Sequence, residues 1–298
     1  MIELPEKNLA LVDRLLDLTL DEDVGEGDAT TQALFKDKAV KTTAYFNART
    51  EGVMAGGAVV ARLYEKLSVR LLGKPDVVEL TQQVADGQTF SPGLTLLTIQ
   101  GDSDVILTGE RSALNLLQRM CAIATRTRSY VDKVVAVGGK ASVLDTRKTN
   151  PGHRVLDKMA VVAGGGVNHR MGLYDMILIK DNHLVAHGSP SSAIRAARKV
   201  SGLPIMVEVD DFGQLLDALA AEPEYVLLDN MSPAKLAEAV KLTDEHCGKK
   251  SLRRPLLEAS GGVNLETVGA IAKAGVDRIS VGALTHGAGS IDIGLDFE

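Results

Sequence analysis

The chain has 298 residues, room for one large domain or two smaller ones, and its 45% hydrophobic and 24% charged content is that of an ordinary globular protein. Its 33 Lys and Arg against 39 Asp and Glu leave a net charge of −6, which excludes a general binder of nucleic-acid backbone, and 3% aromatic content without Trp excludes a stacking platform for single strands. No apolar stretch approaches the roughly 18 residues of a membrane span, the start MIELPEKNLA lacks the runs of a signal peptide, and Cys121 and Cys247 read as reduced core thiols, so a cytoplasmic protein is expected.

Residues 8–20, NLALVDRLLDLTL, space apolar side chains as a helix does. The acidic, Gly-rich DEDVGEGDATT breaks that pattern and reads as a solvated loop. From about 39 to 108 the chain turns β-rich, with KTTAYFNART and LTLLTIQGD as strands and ADGQTFSPG as turn. A long helix is predicted over GERSALNLLQRMCAIATRTRSYVDKVVAV, stopped by Gly138-Gly139.

From residue 140 onward strand, turn and helix alternate. The predicted strands are ASVLD (141–145), DMILI (175–179), PIMVEV (204–209), YVLLD (225–229), LLEAS (256–260) and DRISVG (277–282). Between them Ser232-Pro233 reads as a cap followed by Pro at the first helical position, and Asn264 as the cap of LETVGAIAKAG, with Gly275 at its end. Such alternation implies a parallel sheet. The tail IDIGLDF (291–297) alternates like a half-buried strand and is expected to fold back on the β-rich first part.

The chemistry-bearing residues follow these strands: Thr146-Arg147-Lys148, Lys180-Asp181-Asn182, Glu208, Asp229-Asn230, Ser260-Gly261-Gly262 and Gly282. Side chains at the C-terminal ends of parallel strands converge on one mouth, which favours an α/β barrel of about six strands. Arg147 and Arg170 each offer a planar fork for a carboxylate or phosphate, and two of them in one pocket repel unless a multiply charged anion lies between. Lys148 and Lys180 add point charges. The Gly-rich turns at 260–262 and 281–283 suit a phosphate, and Glu208 and Asp229 suit Mg²⁺ or sugar hydroxyls.

Each feature alone has a plainer meaning: a surface ion pair, a helix cap or a turn. The two histidines of HLVAH (183–187) stand at i, i+4 but lack the metalloprotease Glu, so His187 reads as structural. Six successive strand ends with complementary chemistry are harder to explain that way.

The motifs EDVGEGDATT, GERSALNLLQR, DTRKTNPGHR, GGGVNHRMGLYDMILIKDNH, EASGGV and DRISVGALTH, in this order over almost the whole chain, resemble those of the quinolinate phosphoribosyltransferase family. The resemblance implies an N-terminal open α/β sandwich over residues 1–112, to which 289–298 return, followed by an incomplete α/β barrel over 113–288. It implies transfer of phosphoribosyl from phosphoribosyl pyrophosphate to quinolinate with decarboxylation, giving nicotinate mononucleotide, CO₂ and pyrophosphate. It places Arg147 and Arg170 on the two carboxylates of quinolinate, with Lys148 and His169 beside them and Thr146 in the same loop. Lys148, Lys180, Glu208, Asp229, Ser260, Gly261 and Gly282 are placed on phosphoribosyl pyrophosphate and Mg²⁺, Glu208 and Asp229 binding the metal directly or holding the ribose hydroxyls. Lys148, Lys180, Glu208 and Asp229 are the expected catalytic set. Arg111, in GER, is implied to reach the substrate of a second subunit in a homodimer. Two other activities fit the residues: phosphoribosyl transfer to another acidic ring, and a Schiff-base lyase using Lys180. A non-catalytic anion binder is a third reading.

Overall fold

The structure is a computed structural model that describes residues 4, 6–35 and 40–298. Residues 1–3, on which part of the signal-peptide argument rests, lie outside it. The chain divides into two compact units, one made of Met1–Arg128, Thr149–Gly165 and Thr285–Glu298, the other of Ser129–Lys148 and Gly166–Leu284. The strands of the described residues, in chain order, begin with β1 (Lys41–Ala48), β2 (Gly52–Val53), β3 (Val78–Gln82), β4 (Thr89–Phe90) and β5 (Thr95–Asp102). They continue with β6 (Ser142–Leu144), β7 (Ile177–Ile179), β8 (Ile205–Val209), β9 (Tyr225–Asp229), β10 (Leu256–Ser260), β11 (Arg278–Ser280) and β12 (Ile293–Phe297).

In the first unit, β12-β1-β5-β3 form an antiparallel sheet, so the C-terminal tail does pair with the first strand, Phe46 opposite Leu295. Ala44, Phe46 and Ala48 alternate inward along β1 and are 0–1% exposed, the period-two pattern of a sheet with one covered face. The helix Gly57–Leu72 packs on β3, and the helix Leu9–Asp23 packs on that helix. Arg62 clamps the helix pair with a bidentate bond to Asp13, both contacts at 2.9 Å. The long helix Ser103–Ala136 begins directly where β5 ends, six residues before the predicted Gly109, and stops ahead of Gly138, whose φ of +71° is the left-handed conformation that Gly adopts most readily.

The acidic segment is the expected solvated loop only in part: residues 24–28 are non-helical with Gly25 and Glu26 exposed, but both flanks are ordered into helices. Asp21, Glu22 and Asp23 still belong to the first helix, Val24 is 5% exposed, and Asp28 accepts the Thr30 and Thr31 N–H groups at the start of the helix Ala29–Phe35. Its carboxyl is held below the usual range by the Thr31 hydroxyl and these N–H bonds, although partial burial works in the opposite sense.

The second unit carries a six-stranded parallel sheet in the order β6-β11-β10-β9-β8-β7, the strand set of an incomplete α/β barrel. Its register separates two faces. Val143, Val207, Val226, Leu228, Leu257, Ala259 and Ile279 point one way and are 0–2% exposed. Helices including Pro190–Val200 and Phe212–Leu219 cover this apolar face. The other face carries Ser142, Glu208, Leu227, Glu258 and Arg278 in one row, and Asp229 with Ser260 in the row beyond. Ser232 caps the helix Pro233–Lys250 as expected, accepting the Lys235 N–H. The next helix starts later than expected: Asn264 accepts the Glu266 and Thr267 N–H groups in a turn, and only Val268–Lys273 is helical.

Candidate active site

The DTRK loop and the NHR segment meet because of a short piece of extra pairing. Residues around Val167 run parallel to β6, with Val167 N–H donating to Val143 O at 2.8 Å and Asp145 N–H to Val167 O at 3.3 Å. The pairing delivers His169 and Arg170 beside the Thr146-Arg147-Lys148 turn. Asp145, fully buried, accepts the His169 backbone N–H at 2.9 Å. Thr146 folds its hydroxyl under the turn to accept the Lys148 N–H at 3.0 Å. Arg147 and Lys148 remain exposed.

Arg170 is the unusual group. It is 7% exposed, one terminal nitrogen donates to Met176 O at 3.1 Å, and its Nε meets no acceptor. Burial and then the charge of Arg147 lower its proton affinity from the ordinary guanidinium value, only partly opposed by Asp175. The loop that carries it is tightened by Asp175, which accepts the N–H groups of Met171 at 2.6 Å and Gly172 at 3.0 Å. The Tyr174 ring lies over Gly172, where a Cβ would come within 2.4 Å of it unless the exposed ring turned away. A buried, under-bonded guanidinium near a second positive charge has donors that anionic oxygens can satisfy.

On the sheet face, Lys180 at the end of β7 sits 2.9 Å from Glu208 of β8. The Lys180 backbone N–H donates to His183 Nδ1 at 2.9 Å, which fixes the entry to the helix Asp181–His187. Asp229 ends β9 and accepts the Asn230 side-chain amide at 2.6 Å. Asn230 has φ +52°, a left-handed conformation that Asn tolerates better than most residues. Its backbone N–H donates to Ser260 O at 2.9 Å, tying the ends of β9 and β10. At Gly261 a Cβ would lie 2.1 Å from the Asn230 amide oxygen, so only Gly allows this approach. Among the described residues no acceptor meets the Gly261 or Gly262 N–H, which leaves them for a ligand or water. Gly282 follows β11 beside this turn's strand.

All these positions belong to the second unit; Arg111 alone of the expected set belongs to the first. It is exposed on the long helix, one residue before Ser112, whose hydroxyl donates to Asp23 at 2.9 Å, and three after Thr108, 3.4 Å from Asp28.

Three further charged residues were not singled out from the sequence. Glu258 is fully buried, Arg278 donates to it at 2.8 Å and lies 4.7 Å over the Tyr225 ring, and His169 Nε2 is 3.3 Å from its other oxygen. Asp145 is the third. Their signal was present: Glu258 precedes Ser260 by two residues, so strand alternation puts both on one face, and a charge inside an apolar strand run is rarely idle.

Family profiles described as the N-terminal and C-terminal domains of quinolinate phosphoribosyl transferase match residues 28–121 and 123–296. The chain is 44% identical over 281 residues to a nicotinate-nucleotide pyrophosphorylase [carboxylating] of Mycobacterium leprae, covering 93% of this chain and 94% of that one. It is 38% identical to a probable enzyme of the same name from Bacillus subtilis, over 92% of this chain and 89% of the relative. A solved structure of the nicotinate-nucleotide pyrophosphorylase from Francisella tularensis superposes with a TM-score of 0.85 at 34% identity, covering 97% and 96% of the two chains.

Proposed function

The chain belongs to the quinolinate phosphoribosyl transferase family, and from that premise we propose how its residues carry the family's reaction. The enzyme transfers phosphoribosyl from phosphoribosyl pyrophosphate to quinolinate and releases CO₂ and pyrophosphate, leaving nicotinate mononucleotide. The observation that carries the site assignment is Arg170, a buried guanidinium with an unmet Nε that feels the charge of Arg147. Two adjacent carboxylates on one ring supply two negative charges to meet such a pair.

Arg147 and Arg170 hold the diacid, with Lys148 at the loop's end, so that the ring nitrogen faces the sugar. Lys180 and the Ser260-Gly261-Gly262 turn, with Gly282, hold the phosphates. For Mg²⁺ the protein offers two carboxylates, Glu208 and Asp229; Glu208 is already paired with Lys180 and Asp229 with Asn230. Among the described residues no group of three or more His, Cys, Asp or Glu gathers for a metal. That donor set fits a cation that arrives on a diphosphate, since Mg²⁺ at phosphate sites takes one or two carboxylates and keeps its other ligands from phosphate and water. When bound, Mg²⁺ neutralises the departing pyrophosphate. Glu208 and Asp229 then orient the ribose hydroxyls and stabilise the cationic sugar as its bond to pyrophosphate lengthens. After the ring nitrogen bonds to the sugar, the pyridinium withdraws electrons from the neighbouring carbon. The adjacent carboxylate leaves as CO₂, and a proton replaces it.

Arg111 is assigned to the diacid site of a second copy in a homodimer. In support, Arg111 belongs to the first unit and the other site residues to the second. The imine reading of Lys180 finds no support in its ion pair with Glu208, because an imine-forming lysine reacts as a neutral amine.

The test is incubation with quinolinate, phosphoribosyl pyrophosphate and Mg²⁺, followed by chromatography for nicotinate mononucleotide. Product is expected in the complete mixture and not when the metal is chelated. Its absence from the complete mixture contradicts the assignment.

A further inference from the structure

We propose that Glu258, backed by Arg278, is a positioning residue for the diacid: it fixes the His169 ring so that Arg170 is held in place, and it thereby governs affinity for quinolinate but not for phosphoribosyl pyrophosphate. The proposal deepens the functional reading above and rests on it for the identity of the two substrates.

Glu258 lies at the centre of the polar sheet face and is fully buried. A carboxylate in such a place persists only when its charge is met. Arg278 Nε donates to Oε2 at 2.8 Å, and the Arg278 guanidinium is itself held over the Tyr225 ring at 4.7 Å. The other oxygen, Oε1, accepts no hydrogen bond among the described residues; His169 Nε2 lies 3.3 Å from it, within ion-pair distance. Burial alone would raise the Glu258 carboxyl, but His169 and Arg278 together hold it below its ordinary value, so the charge is present at neutral pH.

The far side of the His169 ring explains what this arrangement does. Nδ1 accepts the Arg170 backbone N–H at 2.7 Å, which uses its lone pair. The ring proton of a neutral His169 therefore resides on Nε2, the nitrogen nearer Glu258. The His169 backbone N–H donates to Asp145, the residue before the Thr146-Arg147-Lys148 turn. One continuous set of contacts thus runs from Tyr225 through Arg278, Glu258 and His169 to the residues that carry both guanidinium groups. Nδ1 is used by the Arg170 N–H and Nε2 lies against the buried Glu258, so the contribution of His169 to substrate binding is assigned to its hold on Arg170.

Glu258→Gln separates this role from simple packing. Arg278 presents only donors, so the amide oxygen must face it and the amide NH₂ must face His169 Nε2. A hydrogen bond there drives the ring proton to Nδ1, where it opposes the Arg170 N–H. The expected result is a rise of about tenfold or more in KM for quinolinate, with KM for phosphoribosyl pyrophosphate changed by less than about twofold. A structural role alone predicts lower stability and an equal loss toward both substrates. Equal rises in the two KM values, or no rise in either, overturn the proposal. A second measurement needs no variant: ¹⁵N NMR of histidine-labelled wild-type protein at neutral pH should show His169 as the Nε2–H tautomer. An Nδ1–H or doubly protonated ring overturns the proposal even if Glu258→Gln fails to fold. If the wild-type protein makes no nicotinate mononucleotide, the functional reading fails instead, and the tautomer result still decides whether His169 is held as described.

Discussion

Arg170 concentrates the cost of the site in one residue. It is buried near the charge of Arg147 and lacks an acceptor at Nε, a repulsion that the diacid would remove under the proposed assignment. Arg170→Met should therefore leave the melting temperature of the substrate-free protein unchanged or higher while lowering kcat/KM for quinolinate by about 2–5 kcal/mol, measured by calorimetry and steady-state kinetics. A marked fall in melting temperature would mean that Arg170 is mainly a structural residue. Lys180 is a second residue whose chemistry is open to test. As a phosphate-binding cation paired with Glu208 at 2.9 Å, it should retain part of its activity as Lys180→Arg. Borohydride with a carbonyl compound should leave no adduct on the wild-type side chain, and an adduct at Lys180 detected by mass spectrometry contradicts that role.

At the scale of elements, the sheet that supports the site depends on polar contacts at its base as well as on its apolar face. Glu224, before β9, accepts the Ile205 N–H at 2.8 Å and bonds Arg253 at 2.6 Å and Arg198 at 3.1 Å. Burial opposes its charge, but these three partners hold its carboxyl down at about 2. A depressed carboxyl contributes stability above its unfolded value near 4.5 and loses it as pH falls toward about 2. Glu224→Gln should thus be less stable than wild type by about 1–3 kcal/mol at pH 7, with the two denaturation curves converging between these limits; a gap independent of pH contradicts it. The strands of this sheet were legible because each is a short apolar run followed by a polar turn: YVLLD and LLEAS match β9 and β10 residue for residue. The long helix was read six residues short because SDVILT carries β-branched residues that suit a strand equally well. The acidic DEDVGEGD partly misled because composition does not reveal that Asp23 and Asp28 bond to Ser112 and Thr108, far along the chain. The cations that follow strands were visible as candidates, whereas the Glu258–His169 contact was not, since it depends on which strands are neighbours.

At the scale of the whole molecule, the proposed homodimer makes each active site a joint product, with Arg111 supplied by the other copy. Arg111→Ala and Lys148→Ala should each be nearly inactive. Mixing them after dissociation should restore roughly a quarter of wild-type activity, because about half of reassociated dimers are mixed and each has one intact site of two. If subunits exchange and activity stays at the level of either parent, Arg111 does not serve a second copy. The central claim is narrower: two guanidinium groups, one of them buried, select a ring with two adjacent carboxylates and so commit the enzyme to decarboxylation. The most direct measurement uses quinolinate carrying ¹⁴C in the carboxylate next to the ring nitrogen, with phosphoribosyl pyrophosphate and Mg²⁺, and nicotinate in a parallel reaction. Label should leave as CO₂ in amounts equal to pyrophosphate, and nicotinate should turn over at least about a hundredfold more slowly, since it leaves one guanidinium uncompensated. Label retained in the mononucleotide, or nicotinate used as readily as quinolinate, would contradict it.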